Sequence, residues 1–330
     1  AIDKLRPAQL AFGTADAPEY VMCRRYWMKD SYTPLNPVTG KADTIKTNPF
    51  GVEDEIIKPL NRPDPELGFL AVKGLDDKWI AILGNYSLHY VGDWENGTIS
   101  ADYFGRFAAA LKEKLDAGPE FVGIMSNGTS GDINIWDFSG QKEFPKGELA
   151  KSTKIANDLA DKVLEGVEGV RWDQAPYLHS SFANIKAGRR MPDRDELETA
   201  RGILAIGELE DLKPDTQGWR KLYAREQMLL NEFADAAESA VQVLHIGEGK
   251  IGALPGEFFA ETGLKLKAEV KCPYFTISLA NDNVGYVPPA HEIEKGGYET
   301  WRCRISNLLP DAEDLFRKKL LELIHDDKNS

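Results

Sequence analysis

The chain has 330 residues, of which 42% are hydrophobic and 28% charged, so it has enough apolar material for the core of a globular protein. A net charge of -13 argues against a nucleic-acid partner held by phosphate contacts, and against adhesion to anionic membranes. The sequence has no uninterrupted apolar run of about 20 residues, so it predicts no transmembrane segment.

The cysteines and the first residues give further limits. Cys23, Cys272 and Cys303 show no CxxC spacing, which predicts buried free thiols and no cysteine zinc site. The first ten residues lack the basic-then-apolar layout of a signal peptide. They resemble the end of a helix that leads into a strand, as if the chain began inside a domain.

The first half of the chain predicts strands, one helix and a long loop. Apolar runs predict strands at residues 9–13, 20–22, 79–84 and 120–125. Residues 30–67 are rich in Pro, Asn, Asp and Gly and predict a loop. Helical periodicity follows Asp102, which is predicted to cap a helix over residues 103–115.

The second half predicts more helices, a hairpin and a final loop. The helices are predicted at residues 149–164, 195–212, 219–240, 257–270 and 312–324. The hairpin joins residues 241–246 to 250–254, a strand covers 274–279, and residues 281–300 form a loop. This alternation predicts an α/β fold, a mixed β-sheet sandwich flanked by helices. We expect a single large domain over residues 1–330, with 185–240 as a candidate helical insertion.

Reactive side chains follow three of the predicted strands. His89 follows the first, the loop SNGTSGDIN follows the second, and Glu257 lies in ALPGEFF. Ligand sites in sheet proteins gather at such strand ends. A lone histidine is more often structural, and without an HExxH or HxH pair the spacing alone does not establish a zinc site. Glu257 could equally open a helix, where a carboxylate complements the helix dipole.

Each of the other candidate site residues can also be explained by a purely structural role. The SNGTSGD loop could present backbone N–H groups to an oxyanion or be a simple tight turn, and it lacks the G-x-S-x-G nucleophile motif. Arg24 and Arg25 would point to opposite faces of a strand, so at most one faces a pocket. Tyr286 and Tyr298 each follow a glycine in the last loop and are either packing residues or ligands.

Taken in order, five segments resemble the N-terminal catalytic domain of the neutral/alkaline non-lysosomal ceramidases, above all their short bacterial members. The segments are CRRYWMKD, NYSLHYVG, SNGTSGDIN, ALPGEFFAETGLKLK and NDNVGYVPPAHEIEKGGYETWR. Together they span nearly the whole chain. The resemblance implies hydrolysis of the amide of ceramide at one zinc ion held by two histidines, a glutamate and a tyrosine.

The resemblance also assigns roles to individual residues. It implies His89 as the second histidine ligand, Glu257 as the carboxylate ligand and Tyr286 as the tyrosine ligand. Tyr298 matches a second active-site tyrosine that hydrogen-bonds the reacting centre. Arg24 matches the arginine that precedes an Asn-Pro turn in the family.

The sequence departs from the family pattern in two places. The family's other zinc histidine would lie upstream of Ala1, so one ligand is expected outside this chain. In the family's GDxSPN loop a serine stands where this chain has Asn134, although Ser130 and Asp132 lie nearby. We therefore expect no serine nucleophile at that position, whereas a zinc-activated water mechanism would survive the change. Ser130, Asp132 and Asn134 remain candidate catalytic residues of this loop.

The expected function is thus a zinc-dependent amidohydrolase that cleaves an N-acyl amide bond, in a ceramide-like lipid or another N-acyl compound. The expected partner is that small-molecule or lipid amide. Family members are commonly exported, which implies a periplasmic or extracellular location. Two alternatives are a catalytically inactive ceramidase-like binding protein and, with less support, a serine esterase.

Overall fold

The computed structural model describes residues 5–140, 142–206 and 216–326. The strands in this part of the chain are, in order, β1 (Ala8–Asp16), β2 (Met22–Cys23), β3 (Arg25–Met28), β4 (Ile45–Thr47), β5 (Ile56–Pro59), β6 (Glu66–Gly74), β7 (Trp79–Tyr86), β8 (Val122–Asn127), β9 (Ile133–Asn134), β10 (Leu178–Gly188), β11 (Ala236–Ile246), β12 (Gly249–Ala253), β13 (Glu257–Phe258), β14 (Tyr274–Ile277) and β15 (Tyr286–Val287).

The helices of the described residues are α1 (Asp102–Lys114), α2 (Ala150–Val167), α3 (Arg194–Leu204), α4 (Gln217–Leu230), α5 (Ala260–Glu269), α6 (Ala290–Ile293) and α7 (Ala312–His325). Short 3-10 turns lie at Glu53–Glu55 and Tyr298–Thr300. None of the helices described has the length and apolar character needed to span a membrane.

Two four-stranded mixed sheets form the body of the molecule. The first sheet has the order β1-β6-β7-β8, in which only β7 and β8 are parallel. The second sheet has the order β10-β11-β12-β14, in which only β12 and β14 are parallel. Each sheet therefore combines antiparallel pairs with one parallel pair at an edge.

The two sheets pack face to face, as the alternation of side chains along β6 requires. Leu67, Phe69 and Ala71 are fully buried in the helix-side core of the first sheet. Gly68 lies between them and faces the second sheet, where a β-carbon would come 3.1 Å from the Phe275 side chain. The ring of Phe275 also lies 6.0 Å from that of Phe12 on β1.

Helices cover the two outer faces. On the first sheet, a β-carbon at Gly84 of β7 would lie 3.0 Å from Phe107 of α1, so helix and strand are in close contact. On the second sheet, a β-carbon at Gly252 of β12 would lie 3.0 Å from Leu320 of α7. The prediction of a mixed β-sheet sandwich flanked by helices is confirmed.

In the described residues, three small ladders lie beside this sandwich and contain Asn134, Glu257 and Tyr286. Strand β2 pairs with β9, β13 pairs with β15, and β3 lies between β4 and β5. Two of these ladders have only two residues per strand. The strands of these two ladders are not neighbours in the chain: β3 to β8 and α1 lie between β2 and β9, and α5 and β14 lie between β13 and β15.

Two predicted helices were wrong in part. The helix predicted over residues 219–240 ends at Leu230, and β11 begins at Ala236. Burial alternates along β11 because every second residue faces the core, a pattern of period two that no helix can satisfy. The helix predicted from residue 257 begins at Ala260, because Glu257 is paired with Tyr286 in a ladder.

Other differences are smaller. The predicted loop 30–67 contains β4 and β5, and Asp102 is the first residue of α1, with a φ of 52°, rather than its cap. Helix α3 ends at Leu204, and the predicted extension over 207–212 lies outside the described residues. Strand β10 was not predicted, and α3 and α4 lie between β10 and β11. The division of the chain into one domain with an insertion at 185–240 stays a prediction.

Candidate functional site

Seven of the eight predicted site residues line a single cavity. The cavity, called the site cavity below, has a volume of about 550 Å³. Its walls include Arg24, His89, Ser130, Asn134, Glu257, Tyr286 and Tyr298. These residues come from the five segments that carry the family resemblance. Its remaining polar and aromatic lining consists of Asn48, Tyr90, Phe104, Asn127 and Trp136.

The eighth residue, Asp132, lies behind the cavity. Its side chain is fully buried and accepts hydrogen bonds from the Ala260 amide at 2.8 Å and from Asn61 Nδ2 at 2.9 Å. Its carbonyl oxygen accepts a hydrogen bond from the Arg24 amide at 2.9 Å. Burial raises the pKa of Asp132, and the two side-chain contacts oppose this rise only in part. Asp132 therefore ties the loop to α5 and to the segment that carries Arg24.

Glu257 and Tyr286 are brought together by the parallel ladder of β13 and β15, in which they are direct partners. The Glu257 amide donates to the Gly285 carbonyl at 2.8 Å. Gly285 has a φ of 83°, and a β-carbon there would lie 2.3 Å from the Ile305 carbonyl oxygen, so glycine is required before Tyr286. Burial raises the pKa of Glu257, while Arg24 and a hydrogen bond from Tyr286 lower it less.

Arg24 directs its guanidinium at this pair. It is 4% exposed, and its Nη2 donates to Tyr286 Oη at 3.1 Å and to the Gly131 carbonyl at 2.6 Å. Its Nε donates to Glu299 Oε1 at 2.6 Å. Arg25 does not line the cavity, as expected for the neighbouring position on a strand.

Glu299 is a residue of this network that the sequence reasoning missed. It is fully buried, and its second oxygen, Oε2, accepts from Arg25 Nη1 at 2.8 Å and from Thr47 Oγ1 at 2.7 Å. Although burial raises the pKa of Glu299, Arg24 and Arg25 bring it below its ordinary value. Its position directly after Tyr298 was the only available signal, because its partners lie more than 250 residues away.

His89 leaves the end of β7 and reaches the same cavity. Its Nδ1 lies 3.0 Å from the Tyr90 carbonyl oxygen, which fits a neutral ring that donates from Nδ1 and keeps a lone pair on Nε2. Burial lowers the pKa of His89, so the neutral form prevails at pH 7. This is the arrangement that histidine ligands of metals usually adopt.

The donors present suit a zinc ion but provide only part of a complete set. A neutral imidazole, a buried carboxylate and a phenol oxygen line one cavity, and zinc accepts nitrogen and oxygen donors in sets of four. A cation would also offset the cost of burying the Glu257 carboxylate. His89, Glu257 and Tyr286 could thus hold zinc together with one further ligand.

A second group of possible metal ligands lies elsewhere. Within the described residues, oxygen or nitrogen atoms of Glu261, His291 and Glu292 lie within 4.8 Å of one another. Glu292 already binds Lys295 at 2.7 Å and Arg25 at 3.1 Å, so its charge is offset without a metal. This cluster is better explained as an ion-pair group.

Several groups of the SNGTSGD loop are engaged in hydrogen bonds within the fold. Ser130 Oγ donates to Asn127 Oδ1 at 3.0 Å, and the Gly131 amide donates to the Phe258 carbonyl at 2.8 Å. Asn134 donates from Nδ2 to Asn48 Oδ1 at 2.6 Å and accepts from the Trp136 amide at 2.9 Å. The Gly131 N–H is therefore already engaged, and Asn134 acts as a brace for the cavity wall.

Comparison with known proteins gives matches among solved structures alone. No protein-family model and no curated protein matches the chain. The neutral ceramidase from Pseudomonas aeruginosa superimposes with a TM-score of 0.64 at 13% identity, over 98% of this chain and 53% of that one. A ceramidase complexed with C2 gives a TM-score of 0.65 at 13% identity, over 98% and 54% of the two chains.

The chain thus spans about half the length of these solved structures. Almost all of its own length takes part in the superposition, so the likeness in fold covers both large sheets. The chain has the α/β fold of the neutral ceramidases.

Proposed function

We propose that this chain carries the active site of a zinc-dependent amidohydrolase that cleaves an N-acyl amide bond. The observation that supports this most is that seven of the eight predicted site residues line one cavity. The ceramidase-like fold supports the reaction class. A ceramide-like lipid or another N-acyl compound would be the substrate.

A zinc ion held by His89, Glu257, Tyr286 and a fourth ligand would supply a Lewis acid and a more acidic water. The chain's own residues would prepare the site for it. The hydrogen bond from His89 Nδ1 to the Tyr90 carbonyl holds the ring in the tautomer whose Nε2 can bind a metal. Arg24 holds Tyr286 Oη in position from the other side.

Arg24 and Tyr298 would stabilise the negative charge that develops on the amide oxygen. Arg24 remains protonated because the carboxylate of Glu299 forms an ion pair with its Nε and offsets the cost of burying its charge. A fixed cation in a site shielded from water stabilises an oxyanion more strongly than one in bulk water. Tyr298 lines the cavity beside Tyr286, with the two ring centres 5.8 Å apart.

The test is hydrolysis of a panel of N-acyl amides by zinc-loaded protein and by two matched histidine variants. We expect His89→Gln to lose activity by a factor of about 10³ or more, since it removes a ligand of the reacting centre. His179→Gln, a change on β10 far from the cavity, should leave the rate unchanged. Full activity in His89→Gln would overturn the proposal.

The alternatives give different results in the same assays. An inactive binding protein would retain ligands in the cavity and hydrolyse none of the panel. A serine esterase would be labelled by a fluorophosphonate and lose activity in Ser130→Ala. Because the Ser130 hydroxyl donates to Asn127, we expect neither labelling nor loss. The periplasmic or extracellular location stays a prediction.

A further inference from the structure

A second cavity of about 460 Å³ lies next to the site cavity. Five aromatic side chains, Tyr32, Phe50, Trp219, Tyr298 and Trp301, contribute to its wall, and it is called the aromatic pocket below. Only Tyr298 among these residues was predicted to serve the reaction.

The two cavities share part of their walls. Asn48 and Tyr298 line both. Phe50 of the aromatic pocket stands edge-on to Trp136 of the site cavity, with ring centres 5.1 Å apart. A molecule whose amide bond lies beside Tyr286 could therefore extend past Tyr298 into the aromatic pocket.

The rings of the aromatic pocket are fixed at steep angles to one another. Trp219 meets Trp301 at 83° with ring centres 5.6 Å apart, and Tyr298 meets Trp301 at 77° and 6.3 Å. Trp301 is 8% exposed, and its Nε1 donates to Asp43 Oδ2 at 2.5 Å. Such walls offer both faces and edges to a flat ring, and these contacts add to the burial of apolar area.

The charge of the aromatic pocket indicates which charge its ligand carries. Aromatic cages commonly take cations, but a lysine in the wall repels a second cation. Here Lys46 lines the pocket, with its Nζ 5.5 Å from the Tyr32 ring centre, and none of the described lining residues is acidic. The pocket therefore suits a neutral or anionic group and disfavours a quaternary ammonium.

The volume limits the length of the group. Pockets for small molecules usually measure about 300–1,000 Å³, so 460 Å³ is near the lower end of this range. A space of this size accommodates one compact ring system.

We propose that the substrate carries a flat, neutral or anionic ring on one side of the scissile amide, and that this ring lies in the aromatic pocket. This inference rests on the proposed function, since it extends the same site. Trp219, supplied by α4, would then be a specificity-determining residue.

The test measures ring binding without catalysis. Indole-3-acetate and octanoate, as ring and chain probes, are titrated by calorimetry against wild-type protein and three variants. We expect indole-3-acetate to bind about tenfold more tightly than octanoate. Trp219→Ala removes part of the pocket wall, and Val52→Trp fills the pocket. Each change should therefore weaken the binding of indole-3-acetate by about tenfold or more. Trp79→Phe, on the distant face of the first sheet, is the control and should bind like wild type.

Octanoate binding as tightly as indole-3-acetate would overturn the inference, as would wild-type affinity for the ring in both pocket variants. The two variants act by opposite changes, so a folding defect in one leaves the other decisive. The titrations are run with zinc-free and zinc-loaded protein. If the protein binds the ring but hydrolyses no amide, the proposed function is wrong and the ring-binding inference stands. If it hydrolyses amides without a preference for a ring, the ring-binding inference is wrong and the proposed function stands.

Discussion

Apolar rings hold the two large sheets against their helices, whereas buried charges hold the small ladders around the site cavity. Phe69, Phe107 and Phe316 are fully buried in the sandwich. Beside the cavity the fully buried groups include Arg25, Glu292 and Glu299, with Arg24 4% exposed. Apolar packing tolerates many sequences, but a buried ion network fails when one partner is removed. The cavity region is thus more specific and more fragile than the sandwich.

The largest effect is expected from Glu299→Gln, because it leaves Arg24 and Arg25 without their shared counter-ion. Removing one partner of a buried ion network costs about 3–5 kcal/mol of stability. Urea denaturation measures this cost. Glu238→Gln provides the contrast, since its pair with Lys186 is exposed and such pairs contribute less than about 1 kcal/mol. Equal costs for the two variants would contradict the importance of the buried network.

In the sandwich, Leu320→Ala should cost about 2–5 kcal/mol through lost burial and a residual cavity. Leu320 is fully buried and packs against β12, and it does not line the site cavity. The amidase rate per folded molecule should therefore remain that of wild type. If this rate fell together with stability, the two regions would not be separable.

Acid should weaken the cavity region first. The pKa of Glu299 lies below its ordinary value of 4.5, since Arg24 and Arg25 outweigh burial. A lowered carboxyl pKa stabilises the fold above the unfolded value and loses this contribution as the pH falls through the folded value. The unfolding free energies of wild type and Glu299→Gln should accordingly converge below pH 4.5. Urea titrations across that range would reveal a constant gap if Glu299 carried no such stabilisation.

The smallest effect is expected at α3, outside both regions. Asp193 caps this helix by accepting from the Glu196 amide at 2.8 Å, and Glu196 returns the contact in a capping box. Asp193→Ala should cost about 1 kcal/mol. Thermal unfolding would detect this shift, and a larger loss than in Leu320→Ala would contradict the ranking.

The sandwich could largely be predicted from the sequence, because buried strands and amphipathic helices repeat their apolar residues with a fixed period. The runs at β7 and α7 show this directly. Periodicity failed where a strand follows a helix without a clear break, as at β11, and where a two-residue ladder replaces a helix start, as at Glu257.

The candidate site was predicted from family resemblance more than from pattern. Neither the approach of Glu257 to Tyr286 nor the role of Glu299 follows from local sequence, since both depend on contacts between distant segments. The aromatic pocket was not predicted either, because its tryptophans lie on α4 and in the final loop.

The central claim is that the site cavity, and not the cluster at Glu261, binds zinc. Zinc content is measured by elemental analysis after extensive dialysis of wild type, Glu257→Gln and Glu261→Gln. The account predicts about one zinc per chain in wild type and in Glu261→Gln, and none in Glu257→Gln. Zinc that persists in Glu257→Gln and disappears in Glu261→Gln would contradict it.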